Sequence, residues 1–510
     1  MAHKQPERTG GVGVAAAVVI VALALGLGAR VICIREAPQS AYLPDHISNM
    51  GWGTYAVEHG PWNIYDLPEN QPLVVRKLDQ RTGRLANVSG VNVHACNYPP
   101  MGAYLYWMQG LFWHALDDEV VTLPSPPWRP GRGLTGPTES RVIDTRISRT
   151  ADASTGIVFD LFLAWGVAAL VRALTPERRR RALEAVAFAI TLLAPPMFLD
   201  SSYWCQADSW ITCLLIWCLV HLMRGRLTAA GVIYGVALMT KPQAVLFLPI
   251  LAYVFFALRF KAGGSWRDAL ALWKPAVAAL VTATVIAAPF MIADGIDEDN
   301  PDGAFRWFDR SYVGTIGGDK YARITLNAFN VWWLDMLSQG MPPPKGEHAA
   351  QKAFFTNLYS PNVQIVGISK GAWGKLMLAF GIVLAWVLCA RKWRWAEASW
   401  PVCAFIVMLA AFTLPTSVHE RYIYYCLPFL IALAVHEKKW IAPLVALLIV
   451  GTFEMTSYDW AGVRNIFDPA KSARFWSGIL AWLTVLSLAY AYAAAGCGRR
   501  VEDEKRTVRK

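Results

Sequence analysis

"NYPPMGAYLYWMQGLFWHALDDE", residues 97–119, carries an apolar run at 101–116 that is nearly long enough to cross a bilayer, for which ~17–20 residues are needed. Whether it crosses decides the fold. If it did, the basic run "ERRRR" at 177–181 would land outside, and every later basic cluster would follow it. That would reverse the bias that gathers Lys and Arg in cytoplasmic loops. The segment is therefore read as staying on one side. Its Pro-Pro start suits a helix N-terminus. Tyr104, Tyr106, Trp107, Phe112 and Trp113 suit a helix lying in the membrane interface.

Working outward, the chain is 510 residues long, 55% hydrophobic and only 17% charged, against roughly 25% charged in soluble domains; its mean hydropathy is +0.32. It reads as an all-α polytopic membrane protein forming a single membrane domain. The net charge of +11 would suggest nucleic acid if it were not placed as it is. "TPERRRRA", "LMRGRLT", "LRFKAGGSWRD", "CARKWRW", "HEKKW" and "GRRVEDEKRTVRK" each abut an apolar run, the pattern of cytoplasmic loops. No nucleic-acid partner is expected. Nine cysteines without a C-x-x-C pair indicate neither a disulfide framework nor a zinc site. The first apolar run exceeds a signal-peptide h-region and is read as an uncleaved span.

Twelve spans are expected, at 11–33, 155–173, 183–199, 209–223, 227–240, 243–258, 274–293, 373–390, 400–416, 422–436, 440–456 and 475–495, with both termini cytoplasmic. Residues 34–154 then form one long extracytoplasmic loop carrying interfacial helices. A catalytic module is expected over 1–293, an outer loop over 294–372, a C-terminal helical module over 373–495 and a cytoplasmic tail over 496–510.

On this threading the chemistry-capable residues collect on the outer face. Asp45 follows the first span; on position alone it would be a solvated loop carboxylate. Gln206 and Asp208 open the fourth span. Lys241 sits where Pro242 breaks "GVIYGVALMTKPQAVLFLPIL". A Lys at membrane depth costs about 2.5–3.5 kcal/mol without a partner or water, so it is either snorkelling or binding an anion. In "TSVHERY", His419, Glu420 and Arg421 stand side by side at the mouth of a span. Arg offers a forked donor for phosphate oxygens, and His can donate or carry charge near neutral pH. A carboxylate facing cations suits transfer of a group from a lipid phosphate, with the cations holding the leaving anion and the carboxylate taking a proton.

At this point the chain resembles the polyprenyl-phosphate-sugar-dependent glycosyltransferases of the GT-C superfamily, bacterial mannosyltransferases and endoplasmic-reticulum glucosyltransferases among them. The resemblance rests on "PDHISNMGWGTYAVEHGPWNIYD", "NYPPMGAYLYW", "SSYWCQADSW", "MTKPQAVLFLP", "TLNAFNVWWL" and "VHERYIY", in that order. It implies a GT-C transmembrane bundle and an inverting transfer of a hexose, mannose or glucose, from a polyprenyl phosphate to a hydroxyl of a glycan, lipid or protein. Asp45 would be the base, and Lys241, His419 and Arg421 the donor phosphate ligands. Gln206, Asp208, Glu420, Tyr98, Asn97, Asn327, Asn330 and Trp332 would position sugar or acceptor. Cys205 stands where the family usually has Gly, and Asn97 where it often has Asp. No cofactor or metal is expected, a divalent cation being optional. A plasma-membrane protein with an extracytoplasmic site follows. The rival classes are a transporter or lipid-linked glycan flippase, with ionisable groups spread through the membrane depth, and an oligosaccharide ligase using a pyrophosphate-linked donor.

Overall fold

The computed structural model describes residues 10–41, 43–67, 71–78, 85–116, 120–123, 138–141, 144–177, 180–296, 303–317, 323–339, 360–456 and 473–496. Every expected span falls on a helix, yet the twelve are not equivalent. Seven helices are long and apolar enough to cross a membrane, or eight if the pair Arg180–Leu193 and Pro195–Tyr203, bent by 51°, counts as one. Asp208–Met223, Leu227–Thr240 and Ser399–Thr413 are shorter. Fourteen helical residues rise only about 21 Å at 1.5 Å each, short of a ~30 Å hydrocarbon layer. One end of each, at Asp208, at Thr240 and Lys241, and at Thr413, is buried inside the protein, and that is where polar residues gather.

The segment read as a loop is more ordered than expected. Helix α1 (Gly10–Ser40) runs on past residue 33, and Asp45 lies in the first turn of a second helix, α2 (Leu43–His59). The helical signal was present: Ile47, Met50 and Ala56 recur at helical spacing and are fully buried. Helix α3 (Pro100–Leu116) is formed by the opening stretch and, at 17 residues, is not among the helices long enough to cross. It buries Ala103, Leu105, Tyr106 and Trp113 and exposes Met108, Leu111, Phe112 and Leu116, so both faces are apolar and the outer one suits lipid rather than water. Two antiparallel hairpins, β1 (Gln71–Leu78) with β2 (Leu85–Val93) and β3 (Val120–Leu123) with β4 (Thr138–Arg141), qualify the all-helical expectation. Their Val-rich, β-branched composition explains them.

Packing fixes α2 over the helical body. A Cβ on Gly110 would meet the Gly53 carbonyl oxygen at 2.3 Å, so α2 and α3 touch backbone to backbone, an approach that only Gly permits. Together with Trp210, Phe290 and Trp307 they form an apolar cluster separate from the main one, which is built from helices of both halves of the chain. Helix α4 (Arg146–Leu174) joins the two layers. Thr145 caps it through a reciprocal pair with Ser148, and Gln109 of α3 donates to the Asp152 carbonyl at 2.6 Å and to Thr155 Oγ1 at 2.5 Å.

Candidate active site

One wall of the site is the first turn of α2, bolted to α4. The residue after Asp45, His46, is fully buried; its Nδ1 lies 2.6 Å from Asp152 Oδ2 and its Nε2 3.2 Å from Ser148 Oγ. One turn on, Asn49 donates to Asp152 Oδ1 (3.2 Å) and to the Cys205 carbonyl (3.0 Å). That second bond holds the 204–207 turn, where Cys205 adopts φ +55°, and the next residue, Gln206, donates to Asp45 Oδ2 at 2.8 Å. Burial, and then the Arg149 charge, lower the His46 pKa well below its ordinary 6.5, so the ring stays neutral. The ligand atoms of His46, Asp152 and Cys205 lie within 4.8 Å of one another. Both His46 nitrogens are already engaged and a guanidinium bears on the group, which makes it a closed polar clamp rather than a cation cage.

The facing wall is the short 3-10 turn Glu420–Tyr425, entered through His419. Arg421 Nη1 stands 3.7 Å from Asp45 Oδ2 and 3.7 Å from Glu420 Oε1, and its Nε 3.4 Å from Asp208 Oδ2. Burial opposes its charge, but Asp45, Asp208 and Glu420 together raise its pKa. Among the described residues the Arg421 Nε and Asp208 Oδ2 atoms have no hydrogen-bond partner; the ion pairs are loose. Behind them Asp208 accepts from Lys241 Nζ at 2.5 Å and from the Tyr425 hydroxyl. The rings of Tyr98, Tyr422 and Tyr425 surround the ammonium at 5.7–6.0 Å, giving Lys241 partners where hydrocarbon would offer none. Backbone bonds tie this turn to the segment around Leu326: Leu326 N donates to Val418 O (2.9 Å) and Glu420 N to Leu326 O (3.2 Å).

A cavity of about 420 Å³ separates the walls. Of the residues expected from sequence, Asp45, Asn97, Tyr98, Gln206, Asn327, His419, Glu420 and Arg421 line it. Lys241 and Asp208 do not; they back Arg421 from behind. Asn330 and Trp332 also lie elsewhere. Asn330 caps the helix Val331–Ser338 and donates to Phe412 O at 3.3 Å, and Trp332 Nε1 donates to Leu414 O at 2.7 Å, so both anchor the segment instead of facing the cavity. Ser48, Asn49, Trp52, His94, Trp204 and Arg323 line it too and were missed. Trp52 and Asn49 follow Asp45 at helical spacing, a signal usable only once α2 is seen as a helix.

The expectation that ionisable groups gather at one face needs correction. Arg30 of α1 and Asp160 of α4 form a buried pair within the spanning helices, the guanidinium also donating to the Gly26 and Leu192 carbonyls. Ser201 and Tyr424 donate to the same carboxylate. The pair is fully satisfied and lines none of the described cavities, so it fastens helices together.

These features define an integral membrane protein with a carboxylate and a guanidinium sharing one polar chamber at the end of its helices. Residues 90–300 match the model of the ALG6, ALG8 glycosyltransferase family, a stretch that takes in Tyr98, Gln206, Asp208 and Lys241. The match supports a glycosyltransferase and bears out the resemblance carried by the motifs. Among solved structures the chain is similar to ArnT from Cupriavidus metallidurans bound to undecaprenyl phosphate, at 14% identity and TM-score 0.43, over 96% of this chain and 78% of that one. It is also similar to the Archaeoglobus fulgidus oligosaccharyltransferase tethered with an acceptor peptide, at 14% identity and TM-score 0.39, over 94% of this chain and 55% of that one. No curated protein matches the chain.

Proposed function

We propose that the protein is an inverting glycosyltransferase that moves a hexose, mannose or glucose, from a polyprenyl-phosphate donor to a hydroxyl of a glycan, lipid or protein acceptor on the extracytoplasmic side of the plasma membrane. The observation that carries this reading is the shared cavity, with the Asp45 carboxylate on one wall and Arg421 3.7 Å away on the other.

In this mechanism Asp45, oriented by Gln206, takes the proton of the acceptor hydroxyl. The freed oxygen attacks the anomeric carbon as the bond from that carbon to the phosphate oxygen breaks, and polyprenyl phosphate leaves with the electron pair. A bound donor is a phosphodiester with one charge, whereas the departing monoester gains a second. Cations beside the phosphate therefore hold the transition state more strongly than the ground state, which is the condition for raising the rate. Arg421 and His419 supply the contact, Arg323 lies at the rim, and Lys241 acts at one remove through Asp208. Because phosphate is already a good leaving group, no general acid is required, and the reading assigns no metal.

Transfer from polyprenyl-phosphate-mannose and polyprenyl-phosphate-glucose, measured with purified protein in detergent, tests the proposal. Turnover with either donor and inversion at the anomeric carbon support it. Absence of transfer from both, with tight binding of a pyrophosphate-linked oligosaccharide instead, would overturn it.

A further inference from the structure

At the ends of the helices away from Asp45 a second polar chamber opens between α4, Arg180–Leu193 and Asp208–Met223. From Asp152, beside the first site, to Arg172 the axis of α4 rises about 30 Å at 1.5 Å per residue, one hydrocarbon thickness. The chamber thus lies at the opposite membrane boundary. It consists of two adjoining cavities of about 300 and 470 Å³ that share Arg172, Arg224 and Arg226, with Arg180 lining the larger.

Local structure brings the arginines together. The helix Asp208–Met223 ends in a turn in which Gly225 N donates to Leu222 O and Arg226 N to His221 O, both at 2.9 Å, with Gly225 at φ +69°. This Schellman-type closure sets Arg224 and Arg226 on either side of one glycine. Glu184 is the lining carboxylate, 3.8 Å from Arg172, and is outnumbered. Among the described residues Arg224 and Arg226 form no ion pair. Burial, then Arg226 and Arg172, lower the Arg224 pKa, so the cations strain against one another. The remaining wall is apolar: Trp165 is 57% exposed, its ring 5.3 Å from that of Trp217, with the small side chains of Ala168 and Ala169 leaving room between helices.

We propose that this chamber binds the phosphate-ester headgroup of an anionic membrane phospholipid, Arg224 and Arg226 holding the phosphate while Trp165 and Trp217 flank the upper acyl chain. Residues that only set topology need charge near the interface; they do not need to converge from three segments on one cavity. Guanidinium forks match phosphate oxygens, basic pockets between spanning helices suit lipid headgroups, and Trp favours the level where headgroup meets chain. The apolar wall would serve no purpose for free phosphate, which favours a lipid as its source.

Native mass spectrometry of the full-length protein in detergent, offered equal phosphatidylglycerol and phosphatidylcholine, tests this. Wild type should retain phosphatidylglycerol preferentially, and Arg224→Gln with Arg226→Gln should cut that retention on the order of 5-fold per arginine removed. Arg172→Gln, on the facing wall, serves where the double variant fails to fold and should act in the same direction. Arg421→Ala should retain the lipid as wild type does. Unchanged retention in the folded arginine variants, or loss confined to Arg421→Ala, would overturn the proposal, the latter placing the lipid in the first cavity. Inorganic phosphate should not displace the lipid; displacement at matched concentration would make the site one for free phosphate and remove the headgroup assignment.

Discussion

The two walls of the first cavity are held by different physics. On the α2 side, directional hydrogen bonds of 2.6–3.2 Å lock His46, Asn49 and Gln206. On the opposite side Arg421 is held by three carboxylates at 3.4–3.7 Å, close enough to keep it charged and too far to saturate its donors. A proton acceptor works only when its geometry is kept. A phosphate ligand must exchange its resting partners for the substrate and release the product afterwards. Rigidity on one wall and loosely held charge on the other match those demands.

The comparison breaks first at Asp45. Asp45→Asn should lower turnover by about 10²–10⁴-fold while donor binding, followed by a tritiated polyprenyl-phosphate sugar, stays near wild type. A variant that transfers at the wild-type rate removes the base assignment. Next comes Arg421→Ala, which should cost roughly 2–5 kcal/mol of donor interaction, read as a raised donor KM; unchanged donor affinity would take Arg421 out of the phosphate site.

His46→Ala sharpens the contrast. It removes the partner of Asp152 Oδ2 and leaves the Asn49 bond to Oδ1, costing about 1–3 kcal/mol of stability, and should lower kcat while leaving the donor KM in place, because only the base moves. Its pH signature has a definite sign. The folded His46 pKa lies below the ordinary 6.5, so the unfolded chain binds the proton first, and the clamp's contribution is present above pH 6.5 and lost as pH falls below it. Thermal unfolding of wild type should therefore weaken with acid more steeply than that of His46→Ala; parallel curves would show that His46 is not the titrating group.

The smallest effect is expected at Cys205. A non-glycine residue at φ +55° carries strain of order 1–3 kcal/mol, which Cys205→Gly relieves at the expense of a buried side chain. Tm should stay within a few degrees of wild type or rise, whereas Cys205→Val should fall. A large loss for the glycine variant would mean that the thiol, and not the turn, matters at this position.

Much of the site could be read from the sequence because the bilayer makes polar residues at the ends of apolar runs conspicuous. Asp45, Gln206, His419, Glu420 and Arg421 were found that way, and they line one cavity. The same reasoning placed Lys241 correctly at a break yet could not say that it faces Asp208, since a pattern of spans gives depth and not direction. The family resemblance put Asn330 and Trp332 beside the sugar although they cap and anchor the helix Val331–Ser338, because a motif reveals the company of a residue without its orientation. Arg30 and Asp160 escaped notice: each stands alone in its own run, and only tertiary packing pairs them. The helical spacing of Ile47, Met50 and Ala56 in α2 is blurred by Gly51 and Gly53, which lower helix propensity.

The backbone bonds joining Leu326 to Val418 and Glu420 splice the rim carrying Arg323 and Asn327 to the strip carrying the guanidinium. On the proposed mechanism, any displacement of that rim by an acceptor would pull on Arg421, the residue proposed to hold the leaving phosphate. Acceptor entry and product release would then share a single mechanical coordinate, and a change that loosens the splice would be felt in both steps together.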